Sequence, residues 1–487
     1  MRSARIADVI SAAGATRLVA PIICALALVA APLLSGCSSF SPDGGMEAVQ
    51  ATAGAELKKD VVALRTPEDA SHTHARVEWL LKRPLSADAA VQIALLNNRD
   101  LQAAYNELGL AEAARIAASL PPSPRFSFEH VAGGGGLDIE RRIVADILAL
   151  ATLPARAEIA ADRFRQAQLH AAEATLRIAA ETRRAYYRAV AARALVSFLV
   201  QAQSAAEAAT QLARRLGETG AMNKLDQARD QVFYAELTAQ LATVRQRALS
   251  ERERLVRLLG LWGSDLTFRI PETLPALPRR PKALAAVEVE AVKRRLDLQI
   301  ARIELVRLAK SYGLTQATRF IDLLEVAGIS KTLQEPGSER FRERGLGAEL
   351  QIPLFDFGEV RVRQAEETYL QAVNRLTAKA VNVRSEAREA YQAYRSTYDI
   401  ARHYEREVLP LRKIISDETL LRYNAMQIDV FALLAEARQR IASTVAAIEA
   451  QRDFWLADAN LSAAIIGGGA APMEDGGAAA MPQSRNE

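Results

Sequence analysis

Asp100-Leu101-Gln102-Ala103-Ala104, followed by Glu107-Leu108, returns as Asp297-Leu298-Gln299-Ile300-Ala301, followed by Glu304-Leu305. The offset is 197 residues, and it also pairs Ala89 with Ala286 and Ala94 with Ala291. Further on, Ala221-Met222 recurs as Ala425-Met426 at an offset of 204. Two anchors at nearly one spacing indicate a duplicated unit of about 200 residues. The alternative is coincidence among alanine-rich helices. Duplication places a first repeat at 84–280 and a second at 281–466.

Each repeat has the same internal order. An amphipathic helix comes first, over Ala87 to Leu120 and over Ala283 to Lys310. Two strands follow in each repeat, within about 125–153 and about 319–354. In the first repeat, Phe126-Ser127-Phe128-Glu129-His130-Val131 runs into Gly133-Gly134-Gly135-Gly136, and a second apolar stretch covers Ile143 to Leu150. In the second, Phe320 to Ile329 leads to a polar loop with Pro336-Gly337, then to Leu346 to Leu354. Pro154 and Pro353 mark the turns into helix.

The helices that follow are very long. Ala155 to Leu216 contains no Gly or Pro, and neither does Glu359 to Leu409; past Pro410 the pattern resumes to about Tyr423. At 1.5 Å per residue such a helix is about 100 Å long. Return helices follow over about Asn223 to Leu259 and Asp429 to Ile466, so the hairpins occupy about 155–259 and 359–466. Ile414, Leu421 and Ile428 are seven apart, as are Leu434, Ile441, Ile448 and Trp455. Seven-residue spacing predicts coiled-coil packing.

One chain therefore supplies about four strands, too few to close around a pore, since even small closed barrels have eight. Several copies must share one barrel. Three copies give twelve strands and six helical hairpins, enough for a hollow helical cylinder. The predicted class is mainly α with a membrane β-barrel: long antiparallel coiled-coil hairpins forming an α-barrel, and two β-hairpins per chain entering a shared trimeric 12-stranded barrel.

The ends add an address. Arg2, Arg5 and Arg17 precede an apolar stretch, Leu18 to Leu34, that ends in Leu34-Ser35-Gly36-Cys37. These are the parts of a secretory signal. The Ser-Gly-Cys ending resembles a lipobox, which makes 1–36 a lipoprotein signal peptide and Cys37 the lipidated residue. An ordinary signal or a membrane anchor with a chance Cys is the alternative. The only other cysteine, Cys24, lies inside the segment to be removed, so no disulfide is expected. Ser38 and Ser39 stand where lipoproteins kept at the inner membrane carry Asp, which implies transfer to the outer membrane. Beyond the signal, no apolar run is expected to reach the ~20 residues of a membrane helix. Residues 37–83 read as a polar, irregular extension, and 467–487 as a disordered Gly/Ala/Pro-rich tail.

The net charge of +4 is spread along the chain with no basic block, so nucleic acid is not an expected partner. His72 and His74 have no third ligand near them in sequence, and His130, His170 and His403 are scattered. The four-glycine run lacks the Lys-Ser/Thr of a phosphate loop. Tyr186, Tyr187, Tyr391 and Tyr394 read as packing residues. No catalytic constellation, metal site or cofactor is expected, apart from the covalent lipid.

Leu85-Ser86-x-x-x-Ala90, Gln351-Ile352-Pro353-Leu354-Phe355-Asp356-Phe357-Gly358 and Leu421-Arg422-Tyr423-Asn424-Ala425-Met426 resemble the TolC-like outer membrane factors, over about Pro84 to Gly467. The lipobox puts the chain nearer the lipoprotein members. The resemblance implies a homotrimeric exit duct in the outer membrane of a Gram-negative bacterium, in contact with outer membrane lipid and reaching into the periplasm. It implies two protein partners, a periplasmic adaptor and an inner-membrane pump, often of the RND class. It also implies a gate near the hairpin tips: Tyr423, Asp429 and Glu436 in the second, Lys224 and Asp226 in the first. Family members carry an Asp-Val-Leu-Asp-like run where this chain has Leu433-Leu434-Ala435-Glu436, and Ile428 stands where some carry a gating Arg. Against the duct stand a coiled-coil spacer lipoprotein, which would need no strands, the outer membrane component of a type I secretion system, and a periplasmic adaptor, which would usually carry one hairpin rather than two. The substrate is not legible.

Overall fold

The computed structural model describes residues 40–133, 136–220, 222–283, 286–335 and 337–467. Cys37, the signal segment and the tail beyond Gly467 lie outside the described residues. In chain order, α1 (Met46–Val49) passes through a π turn (Gln50–Gly54) into α2 (Ala55–Leu57). Then come α3 (Pro67–Leu81), α4 (Ala87–Asn97), α5 (Arg99–Ser119), β1 (Arg125–Gly133), β2 (Gly136–Asp146) and α6 (Ile147–Ala151). The first hairpin is α7 (Leu153–Glu218) and α8 (Lys224–Leu259). The second repeat gives α9 (Val287–Arg294), α10 (Leu296–Ala317), β3 (Leu323–Gln334), β4 (Phe341–Gln351), α11 (Glu359–His403), a π turn (Tyr404–Val408), α12 (Leu409–Asn424) and α13 (Val430–Ile466).

By its contacts the chain forms two compact units that cut across the repeats. One holds the sheet, with 111–161 and 313–362; the other holds the helices of 45–110, 162–312 and 363–467. In the sheet unit the strands run β1-β2-β3-β4, all antiparallel. The β2–β3 pairing, from Leu137↔Gln334 to Asp146↔Glu325, joins the two repeats in one sheet. β1 and β4 keep one open edge each.

In the helical unit the duplication is visible as two cores. Ala94 and Ala291 are both fully buried, and so are Leu101 and Leu298. Around the first pair pack Leu85, Ile93, Tyr186 and Leu259; around the second, Val383, Tyr394, Phe454 and Leu461. Trp455 stacks on Tyr187 at 5.2 Å and meets Phe454 edge-on at 5.1 Å, so the two cores share an aromatic seam. The Tyr186 hydroxyl donates to Leu85 O (2.9 Å), and that of Tyr394 accepts from Lys282 N–H (3.0 Å). These tyrosines pack, as expected. A third cluster, Leu199, Ala206, Phe233, Leu237 and Leu241, lies further along the first hairpin, with Ile441 and Val445 of α13 against it.

Several expectations need correction. The helix predicted over Ala87 to Leu120 breaks at Asn98, and that over Ala283 to Lys310 starts at Val287 and breaks at Arg295. The two breaks are 197 residues apart, the repeat offset. Asn98 Oδ1 accepts from Leu101 N–H (2.9 Å) and its Nδ2 donates to Leu258 O (2.9 Å), so it caps one helix end and satisfies another. Arg295 instead pairs with Asp297 (2.8 Å) and with Glu386. The predicted strand Ile143–Leu150 ends at Asp146, whose carboxylate accepts from Ala149 N–H and starts α6; β2 begins earlier, at Gly136. β3 starts later than Phe320, and β4 begins at Phe341 rather than Leu346.

The extension before the first repeat is largely helical rather than irregular. Thr66 and Asp69 form a reciprocal capping box that opens α3. Pro410 does not interrupt the second hairpin: the π turn just before it lets the helix continue past a residue with no N–H. Among the described residues one helix, α7, holds an 18-residue window of mean hydropathy 1.2, long and apolar enough by composition to cross a bilayer, where no such run was expected. Its apolar residues include Val190, Leu195 and Leu199, which are buried in the helical unit.

Candidate functional site

The sheet sorts its side chains by face. Alternation along β1 and the registers of the three pairings put Phe126, Phe128, Leu137, Ile139, Ile143, Val326, Leu346 and Leu350 on one face. Most of these are exposed in the single chain, Leu346 at 88%. Arg141, Arg342 and Arg344 share that face, Arg141 lying over the Phe128 ring at 6.0 Å. The other face carries Glu129, Asp138, Glu140, Asp146, Glu325, Glu343 and Glu349 against Arg125, Arg142 and Lys331.

On that charged face each cation has a carboxylate. Arg125 pairs with the buried Glu325, Lys331 with Asp138 (3.0 Å) and Arg142 with Glu140 (3.1 Å). The register aligns Glu129, Glu140, Lys331 and Glu343 in one row across all four strands. A second row holds Asp146, Glu325 and Glu349. Like charges directly opposite in a sheet are destabilising. Such a face suits water, not hydrocarbon.

The hairpin tips place the five gate candidates. In the first, Asn223 caps α8: its Oδ1 accepts from Asp226 N–H (2.9 Å), and its Nδ2 donates to the Asp226 carboxylate. Arg229 lies 3.4 Å from the same carboxylate. Asp226 is thus held by its own helix start, while Lys224 is exposed beside it. In the second tip Met426 is left-handed (φ 56°) and almost wholly exposed, and its N–H donates to Tyr423 O (2.9 Å). Left-handed backbone at a residue other than glycine is uncommon and strained. Tyr423 is half-buried. Asp429 caps α13, its carboxylate accepting from Ala432 N–H (2.9 Å).

Glu436 differs from the other four. Its side chain is 11% exposed, and its Oε2 lies 3.3 Å from Arg412 Nη1 on α12. It joins the two arms of one hairpin.

Two further groups are not marked by any sequence pattern. Asp230 on α8 is 2% exposed, and neither of its carboxylate oxygens has a hydrogen-bond partner. Arg438 on α13 donates to Arg229 O (3.3 Å), and its guanidinium lies 4.5 Å from the Phe233 ring centroid. It links the second hairpin to the first. Burial drives the hydroxyl pKa of Tyr186 up to about 12; burial, then the nearby Asp458 charge, does the same for Tyr187. Among the described residues no group of His, Cys, Asp or Glu could hold a metal ion. His74 pairs with Glu78 (3.3 Å) on α3.

Residues 288–416 match the sequence profile of the outer membrane efflux protein family. No curated protein matches the sequence. Among solved structures the fold is similar to the Campylobacter jejuni CmeC outer membrane channel, at TM-score 0.66 and 16% identity over 78% of this chain and 86% of that one. It is similar to CusC at TM-score 0.65 and 16% identity, covering 79% and 92%. The open state of the Neisseria gonorrhoeae MtrE outer membrane channel follows at 0.63 and 17%, covering 81% and 89%.

Proposed function

We propose that the chain is an outer membrane factor of the TolC-like family and the trimeric exit duct of a tripartite efflux system; the profile match over residues 288–416 and the fold it shares with outer membrane channels support this reading. Substrates pass through it passively, delivered by a periplasmic adaptor and an inner-membrane pump of the RND class. Its own contribution is a hole through the outer membrane and a closable periplasmic end.

The observation that carries this reading is the four-stranded sheet with one apolar face, one charged face and two open edges. Unpaired strand edges cannot face hydrocarbon. Joining β4 of one copy to β1 of the next removes every edge, and three copies give twelve strands. Closure then turns the aromatic face to lipid and the charged rows to the lumen. A spacer lipoprotein has no use for such a sheet.

Deletion of Arg125 to Ala132 tests the reading. It is expected to abolish both heat-stable trimers on gels and conductance in planar bilayers. Trimers and conductance that survive the deletion refute the shared barrel.

We propose further that Cys37 is acylated and tethers each chain to the outer membrane. With the barrel as the main anchor, Cys37→Ala behind an ordinary cleavable signal is expected to lower the amount of assembled channel while each channel conducts normally. Fully assembled but silent trimers contradict this.

A further inference from the structure

The four strands sort their charges by sign as well as by face. Every carboxylate of β1 to β4 lies on the charged face, where each cation is paired. On the apolar face the charged side chains are three arginines, Arg141, Arg342 and Arg344. All three are exposed. Among the described residues none of them has a carboxylate partner, Glu335 and Glu339 of the neighbouring β3–β4 loop included.

Their placement is ordered. The register sets Arg141, Ser330 and Arg344 in one row, with Phe128 at its β1 end. The next row toward the strand turns holds His130, Thr332 and Arg342. Neighbouring strands lie about 4.8 Å apart, so Arg141 and Arg344 spring from points about 10 Å apart, on either side of the small Ser330. Arg141 rests against the Phe128 ring at 6.0 Å. In the opposite direction, toward the strand ends that join the helices, the same face is apolar, with Phe126, Val326, Leu346 and Leu350. An apolar surface is thus bordered, on the side of the turns, by unpaired guanidinium groups.

An arginine on the lipid face of a barrel is costly at the bilayer midplane and nearly free at the interface. Three of them in two adjacent rows fit the level of the headgroups. Side by side they repel one another, and an anion between them removes that repulsion. Phosphate suits the arrangement, because the planar guanidinium offers parallel N–H donors to two of its oxygens at once. The apolar rows next to the arginines suit acyl chains and would be of no use to a free anion.

We propose that this face binds a phosphate-bearing lipid of the outer leaflet. Its phosphate sits between Arg141 and Arg344 above Ser330, with Arg342 beside it, and its acyl chains run along Phe126, Leu346 and Leu350. The proposal rests on the duct reading, which turns this face to lipid and the strand turns to the cell exterior.

The test is native mass spectrometry of the assembled full chain in detergent, titrated with bisphosphorylated lipid A and with enzymatically dephosphorylated lipid A, which keeps the same acyl chains. Wild type is expected to bind the phosphorylated form at least about tenfold more tightly. Arg141→Gln with Arg344→Gln is expected to bind the two forms alike. Arg142→Gln, on the opposite face, is expected to keep the wild-type preference. Arg141→Lys with Arg344→Lys serves if the glutamine variant does not assemble; it keeps the charge but not the fork, and is expected to weaken phosphorylated lipid A about threefold. Equal affinity of wild type for the two forms overturns the phosphate site. A full preference that survives in the arginine variants overturns its assignment to this face. Displacement of lipid A by millimolar inorganic phosphate means that a free anion suffices and overturns the lipid as occupant. Conductance of the same preparations separates this proposal from the duct. Wild type that conducts but shows no preference fails the lipid site alone, and wild type that holds lipid A through these arginines without conducting fails the duct alone.

Discussion

Arg438 on α13 lies over the ring of Phe233 on α8, 4.5 Å from its centroid, while donating to Arg229 O one turn earlier. One side chain thus ties the second hairpin to the first near their tips. A cation–π contact and a hydrogen bond at a partly exposed position together contribute on the order of 1–2 kcal/mol. Arg438→Ala is expected to loosen the second hairpin and raise the open probability of single channels in planar bilayers. An open probability equal to wild type would show that this link does not restrain the tips.

The charged face of the sheet makes a prediction about ions. Each cation there is paired, but Glu129, Glu343 and Glu349 add carboxylates beyond those pairs. Rings of carboxylates in a pore favour cations. The reversal potential under a KCl gradient is expected to show cation preference, and Glu129→Gln with Glu349→Gln to lower the K⁺/Cl⁻ permeability ratio roughly twofold. An anion-selective wild type would put this face outside the lumen.

Alkaline pH is expected to unfold the helical unit. The buried hydroxyls of Tyr186 and Tyr187 titrate near 12, against about 10 in an unfolded chain. Their pKa values are raised, so the stabilisation is complete below about pH 10 and is lost as pH rises through 12. Each contributes on the order of 2 kcal/mol to that loss. Helicity followed by circular dichroism should hold to about pH 10 and fall steeply above it, with the transition moved upward in Tyr186→Phe. A flat profile to pH 12 would contradict the burial argument.

Asp230 is a stabilising substitution in waiting. Its carboxylate is buried with no partner on either oxygen. Leucine has the same branched skeleton, with methyl groups somewhat larger than the oxygens they replace, and nothing to desolvate. Asp230→Leu is expected to raise stability by about 1–3 kcal/mol in thermal melts of the assembled protein. A fall in stability would reveal a partner supplied by a neighbouring copy.

The sequence disclosed those parts of the fold whose causes are local. Asn223 and Asp429 cap the return helices at the expected places because N-cap chemistry reaches only two or three residues. Thr66-Pro67-Glu68-Asp69 carries an equally local capping box, and the polar composition around it masked a helix that its own start signal announces. The breaks at Asn98 and Arg295 are different. Asn98 leaves the helix to satisfy Leu258 O, 160 residues away, which no window of sequence contains. Likewise β2 begins at Gly136, before its apolar stretch, since Asp138 and Glu140 belong to a charged face and read as loop in isolation. Gly358, left-handed at 73°, has Arg319 O only 2.1 Å from where a Cβ would sit, a constraint visible only once the turn is folded. In the hairpin tips the candidate residues could be named but not their bonds: Glu436 reads as an acidic ring member until Arg412 is seen beside it.

The open edges of β1 and β4 decide how damage to this protein spreads. A copy with a ruined β1 edge still offers a sound β4 edge, so it joins its neighbours and spoils the ring they would have closed. In the proposed trimer, sound and defective chains made in equal amounts leave about one ring in eight with no defective copy. Such a lesion is dominant in the geneticist's sense, and a second, healthy gene copy rescues little. With the proposed barrel, the unit on which selection acts is the closed ring, and a single chain inherits its fitness from its neighbours.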